Sequence, residues 1–210
     1  MKNRNLILSI VALIMPLFSL TQPANSTKVT VLQSAVFAGG WFWGVQDEFD
    51  HIPGVTSTEV GYIGGTKDHP TYEQVCSGAT GHTEAVKVSF DPQRLSYKSL
   101  VTSFLNNHDA GVDLSFIHGG QYMNAIFVNS KEQELITRDA IAAIEKNRRR
   151  KVYVSVRQAG TFWRAEEYHQ NYYKKHNGAS CRVRWVNKNL LLMHSLLCCI
   201  DTVAPALSWN

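Results

Sequence analysis

The chain has 210 residues, of which 44% are apolar, 10% aromatic and only 18% charged; this composition excludes a disordered chain and predicts one domain with a single sizeable core. Its 21 lysines and arginines against 17 aspartates and glutamates give a formal net charge of +4. Lys2 and Arg4 fall in a segment expected to be removed, and the remaining excess is too small to argue for a nucleic-acid partner. The run Arg148 to Lys151 closes a helical pattern and reads as a solvated helix end.

Taken in chain order, the first feature is a leader. Lys2 and Arg4 precede an uncharged apolar run from Leu6 to Leu20, and Gln22 to Ser26 follow with Ala24-x-Ser26 as a cleavage site. This is the layout of a secretory signal peptide over residues 1–26. The run is short for a spanning helix, which needs about 20 residues, and Pro16 interrupts it; an uncleaved anchor is the other reading. The expectation is an exported protein, periplasmic or secreted, with no membrane association once the leader is gone.

Val29 to Ala38 is rich in β-branched residues and predicts a strand. Gly39-Gly40 breaks it, and Trp41 to Asp50 places apolar residues at 41, 42, 45 and 49, as a helix lying on a sheet does. Val55 to Tyr62 alternates as a strand; a Gly-rich loop spans Ile63 to Ala79; Thr83 to Phe90 alternates as another strand. Helices are expected over Ser96 to Asn107, Ser130 to Asn147 and Ala165 to Lys175, and strands over Tyr122 to Val128 and Val152 to Arg157. The order β-α-β-β-α-β-α describes an α+β fold, helices packed on a mixed sheet around a ferredoxin-like core. The stretches Gly61 to Gly81 and His108 to Gln121 are long for loops in a compact domain and are therefore site candidates.

The four cysteines (Cys76, Cys181, Cys198 and Cys199) form no C-x-x-C, and the eight histidines form no H-E-x-x-H, so no metal site is expected. Residue 41 stands at a strand-to-helix turn, where unpaired N–H groups stabilise negative charge and would make a thiol a good nucleophile. The residue there is Trp41. Phe42 and Trp43 beside it read either as core or as the lining of a pocket. Glu84 interrupts an apolar strand pattern: buried, it would keep its proton and serve as a general acid; on an edge strand it would be a solvated carboxylate. Tyr72 and Tyr122 read either as phenolic donors to a ligand oxygen or as packing residues.

These stretches form an ordered series: Gly39-Gly40-x-Phe42-Trp43-Gly44, Gly61-Tyr62-x-Gly64-Gly65, Pro70-Thr71-Tyr72-x-x-Val75-Cys76-x-Gly78, Gly81-His82-x-Glu84-Ala85-Val86, His108-Asp109, Gln121-Tyr122 and Ala165-Glu166-x-Tyr168-His169-Gln170-x-Tyr172. From about Val36 to Cys181 the chain closely resembles the peptide methionine sulfoxide reductases of the A type. The resemblance implies a two-layer α/β sandwich over 29–185, with an extension of unknown role at 186–210. It also implies a cysteine at position 41 that attacks the sulfur of methionine-S-sulfoxide in proteins or peptides, and Glu84 as the acid that protonates the oxygen. Tyr72 and Tyr122 would hydrogen-bond that oxygen, and Phe42 and Trp43 would cup the ε-methyl group. Cys181 would be the resolving thiol, and no cofactor would be bound, reduction coming from an external thioredoxin-like or dithiol donor.

The departures bear on activity. Trp41 cannot form a sulfenic acid. A family aspartate five residues before Tyr122 falls at Ile117, with Asp113 as a substitute, and the loop after Asp109 is short. Three accounts of Trp41 stand: a paralogue that binds sulfoxide peptides without turnover, a residue read in place of cysteine or selenocysteine, or takeover of the chemistry by Cys76 or Cys181.

Overall fold

In the computed structural model, which describes residues 30–107 and 120–176, side-chain alternation divides the sheet into two unlike faces. The strands are β1 (Gln33–Gly39), β2 (Val55–Ile63), β3 (Thr83–Phe90), β4 (Asn124–Val128), β5 (Ser155–Gln158) and β6 (Trp163–Arg164); the helices are α1 (Phe42–Asp50), α2 (Tyr72–Cys76), α3 (Tyr97–Asn107), α4 (Lys131–Arg148) and α5 (Tyr172–Lys175). Successive residues of a strand point to opposite faces. Phe37, Val60, Val86, Val88, Phe90 and Ile126 therefore join one core with Phe42, Val45 and Phe49 of α1 and Leu100, Val101 and Phe104 of α3. Their neighbours Val36, Ala38, Ile63, Ala85, Ala125 and Phe127 form a smaller cluster on the other face. Phe37 ties sheet to helices, its ring 4.7 Å from that of Phe49 and 5.2 Å from that of Phe104.

The strand order is β5-β4-β1-β3-β2-β6. β1 runs antiparallel to β3 and β4, and β2 antiparallel to β3 and β6, while β4 and β5 are parallel. The inner four strands, with α1 and α3 as their connections, are the β-α-β-β-α-β unit expected from the element order, and β3 lies at the centre with a neighbour on each side. Gly40, at φ +77°, makes the turn from β1 into α1; a side chain is disfavoured in that conformation.

Three local expectations are corrected. The stretch expected as loop around Tyr72 forms α2. Its start is satisfied by Gln74, which accepts from the Thr71 N–H, and by Glu166, which accepts from the Tyr72 N–H. The helix expected over Ala165 to Lys175 is instead a 3-10 turn at Glu167–His169 and one turn of α5, separated by Asn171 at φ +54°. Tertiary bonds break it: the Gln170 carboxamide pairs with both the N–H and the carbonyl of Val60, and the Asn171 N–H donates to Gln46 Oε1. The third concerns the strand expected from Val152, which begins at Ser155, with β6 following it. The leader, His108, Asp109, Asp113, Ile117, Cys181 and the 186–210 extension lie outside the described residues.

Candidate active site

Glu84 is the second residue of β3, on the face that the helices cover, and is fully buried. The reading as a solvated edge carboxylate is thereby excluded. Its Oε2 accepts from the Phe42 N–H at 3.2 Å, the first free amide of α1, and its Oε1 accepts from Gln121 Nε2 at 2.7 Å. Both bonds favour the charged form, but burial outweighs them and pushes the carboxyl up to about 8. Glu84 therefore keeps its proton at neutral pH and stands ready to donate it at the foot of α1.

Trp41 is the residue before the helix, in extended conformation at φ −65°, ψ 111°, so position 41 sits at the helix start as expected. It is half-buried, its ring 4.9 Å from that of Trp43, and its enclosed indole N–H has no hydrogen-bond partner among the described residues. Trp43 is held on two sides: its Nε1 donates to His169 Nδ1 at 3.2 Å, and its ring stacks on Tyr172 at 3.6 Å, 1° from parallel. Phe42 meets His169 edge-on at 5.1 Å, and Tyr72 lies 4.5 Å from the same imidazole. The structure thus brings Trp41, Phe42, Trp43 and Tyr72 around one aromatic centre. Tyr122 is buried beside Gln121, which touches Glu84.

Sequence reasoning quoted Gln121, Glu166 and His169 within motifs but gave them no part; the structure does. Glu166 joins two elements, accepting from Tyr62 Oη at 2.8 Å and from the Tyr72 N–H at 2.9 Å. Tyr62 is raised above the ordinary phenol value by burial first and by Glu166 second. His169 is fully enclosed, and burial lowers it to about 4. It is therefore neutral, and because Nδ1 accepts from Trp43, its proton sits on Nε2, 4.0 Å from Glu166 Oε2. Cys76, at the end of α2, is half-buried with its Sγ 3.4 Å from Gln121 Nε2. Among the described residues no group of three or more His, Cys, Asp or Glu is arranged to hold a metal ion, and no helix is long and apolar enough to cross a membrane.

A family profile described as peptide methionine sulfoxide reductase matches residues 33–195. The chain belongs to this family. It is 44% identical over 161 residues to the peptide methionine sulfoxide reductase MsrA of Geobacter sulfurreducens, spanning 73% of this chain and 97% of the relative. It is 43% identical over 162 residues to the MsrA of Methanoculleus marisnigri, spanning 73% and 96%. Among solved structures, methionine sulfoxide reductase A of Corynebacterium diphtheriae superposes with a TM-score of 0.62 at 26% identity, covering 72% of this chain and 78% of that one. Reduced Mxr1 of Saccharomyces cerevisiae gives 0.64 at 26%, covering 70% and 86%.

The α+β fold, with six strands in a mixed sheet, is that of the MsrA structures. The family match begins with the first residue of β1 and continues past Trp185, into the segment that the motif series did not reach.

Proposed function

We propose that this chain is built to receive methionine-S-sulfoxide of peptides or proteins at the Glu84 site, and that the reductase chemistry of its family stops, in the chain as written, at Trp41. The observation that carries this reading is the fully buried Glu84, still protonated at neutral pH and bonded to the first N–H of the helix that Trp41 precedes. Family membership supports the substrate class.

With a thiolate at position 41, the sulfur attacks the sulfoxide sulfur while Glu84 gives its proton to the oxygen. The oxygen passes to the thiol as a sulfenic acid: the cysteine sulfur is oxidised by two electrons, the sulfoxide is reduced by two, and methionine leaves. Tyr72 and Tyr122 hold the oxygen, and Phe42 and Trp43 enclose the methyl group. Cys181 then condenses with the sulfenic acid, expelling water, and a thioredoxin-like or dithiol donor reduces the disulfide. Trp41 offers no thiolate, so the parent chain binds the sulfoxide without turning it over. The retained Cys181 favours a second reading, in which a cysteine or selenocysteine belongs at position 41. Residues 1–26 act as the leader of an exported protein, and 186–210 form an extension.

The test is turnover of a methionine-S-sulfoxide peptide with a dithiol reductant. The parent chain gives none, and Trp41→Cys gives turnover and, after one turnover with the reductant left out, a loss of two hydrogens in mass from the disulfide with Cys181. A folded but inactive Trp41→Cys chain leaves only the binding role. Turnover by the parent, with Trp41 confirmed by mass spectrometry, overturns this account of the nucleophile.

A further inference from the structure

Gln121 has no part in the chemistry above, yet it is the side chain that meets Glu84 at 2.7 Å. It is fully buried just before β4, and its own carbonyl accepts from the Glu84 N–H at 2.9 Å, which fixes its backbone against β3. One end of its carboxamide, Nε2, reaches both Glu84 Oε1 at 2.7 Å and Cys76 Sγ at 3.4 Å. The other end, Oε1, is enclosed and has no hydrogen-bond partner among the described residues.

The two ends of a carboxamide have almost the same shape and opposite hydrogen-bonding sense, so the protons of its neighbours decide which end faces them. Facing an ionised Glu84, Nε2 gives one hydrogen to the carboxylate and the other to the thiol sulfur. Facing a protonated Glu84, the turned amide presents Oε1 to both groups. It then accepts from the carboxylic acid, at a separation of 2.7 Å that suits an O–H···O bond, and from the S–H of Cys76. Each orientation makes two bonds and leaves the far end of the amide unpaired, so the balance between them is set by the proton on Glu84.

We propose that Gln121 is a positioning residue whose carboxamide turns as Glu84 gains or loses its proton, and that Cys76 follows, accepting a hydrogen bond in one state and donating one in the other. The proposal rests on Glu84 being the acid of the site. Around that acid, β2 contributes Tyr62, paired with Glu84 across the two strands and raised above the ordinary phenol value. α2 contributes Tyr72 and Cys76, the segment before β4 contributes Tyr122, and α1 contributes the Phe42 N–H. Glu166 stands at the far end of Tyr62, bonded to its hydroxyl. Among the described residues Tyr168, raised chiefly by burial, also feels Cys76.

The experiment follows two signals across a pH titration of the full chain, kept reduced. One is the S–H stretching band of Cys76 in the infrared, identified by its loss in Cys76→Ala. The other is the Glu84 carboxyl carbon in NMR, identified by its loss in Glu84→Gln. The S–H band shifts with the same midpoint as the carboxyl. In Gln121→Met, which keeps the volume and removes the amide, the band no longer moves with pH, and the Glu84 midpoint rises because the bond to the charged carboxylate is the stronger of the two that are lost. A Cys76 band that stays still while Glu84 titrates overturns the proposal, as does a Gln121→Met chain with an unchanged Glu84 midpoint. The first readout needs no change at Gln121, so a misfolded variant leaves it decisive. If Glu84 titrates at its ordinary value, the acid of the functional reading fails and the proposal falls with it; if Glu84 titrates high and Cys76 does not follow, only the proposal falls.

Discussion

Replacing Glu84 by glutamine removes a group that burial holds near 8, against an ordinary value of 4.5. Above 4.5 the unfolded chain releases a proton that the folded chain keeps. The unfolded state then binds fewer protons, and stability falls as pH rises, by about 1.4 kcal/mol per unit, until Glu84 itself ionises near 8. Glu84 is wholly enclosed, so solvent screening does not reduce this. Glutamine at the same position carries no such dependence. Its carbonyl accepts from the Phe42 N–H, and its amide donates to a turned Gln121, so both contacts of position 84 are kept. The stability of Glu84→Gln relative to the parent therefore rises by roughly 3–4 kcal/mol between pH 5 and pH 8. Urea unfolding of both chains across that range, in reductant, measures the difference, and every other titrating group cancels because both chains share it. A difference constant to within about 1 kcal/mol, or one that grows towards acid, refutes the argument that burial sets the protonation of Glu84.

The imidazole of His169, lowered to about 4 by burial, stays neutral with its proton on Nε2 at pH 5.5. Its contribution to stability is complete above 6.5 and is lost as pH falls from there towards 4, because only the unfolded chain takes up a proton in that window; ring 15N shifts of an imidazolium at pH 5.5 would contradict this. Gly65→Ala drives a Cβ to 2.0 Å from His82 Nδ1 and 2.4 Å from the Thr80 carbonyl, and should cost about 1–3 kcal/mol, read as a lowered melting temperature; an unchanged melt would show that the β2–β3 connection yields freely. Tyr62→Phe strips a donor from Glu166 and should lose about 1–2 kcal/mol in urea unfolding, whereas a neutral result would mean that the Tyr62–Glu166 bond contributes nothing net.

The sheet was legible wherever one face of a strand met the helix layer. In Thr83 to Phe90 the alternation marked both the strand and Glu84 as its misfit, and the misfit proved to be the enclosed acid. α2 was not legible from periodicity because five residues give a helical period no room to repeat; the Thr71-x-x-Gln74 spacing was its local mark, and Gln74 does accept from the Thr71 N–H. The C-terminal helix was over-extended for a different reason. Residues 165–175 have helical character, but Gln170 gains more from bonding Val60 on β2 than from continuing the turn, and such a long-range partner leaves no local signal. The same holds for Glu166, His169 and Gln121, whose partners stand 94, 126 and 37 residues away in the chain. Trp41 is the reverse case: its position was legible from Gly39-Gly40, and its chemistry from the indole alone.

The bonding of Gln170 also decides how the molecule ends at its sheet margin. β6 pairs with β2 only at Gly61 and Tyr62, which would leave the adjoining rung of β2 open. Ala165 and the Gln170 carboxamide close that rung, the amide taking the Val60 N–H and returning a hydrogen to its carbonyl as a neighbouring strand would. An exposed rung is where a foreign strand begins to add. A side chain that imitates a peptide group blocks that growth without requiring another strand, and α5, which follows directly, anchors the chain that carries it. Loosening this segment would therefore free a strand edge for pairing with a second copy, making residues 165–175 a guard against self-association as well as a support of the aromatic centre.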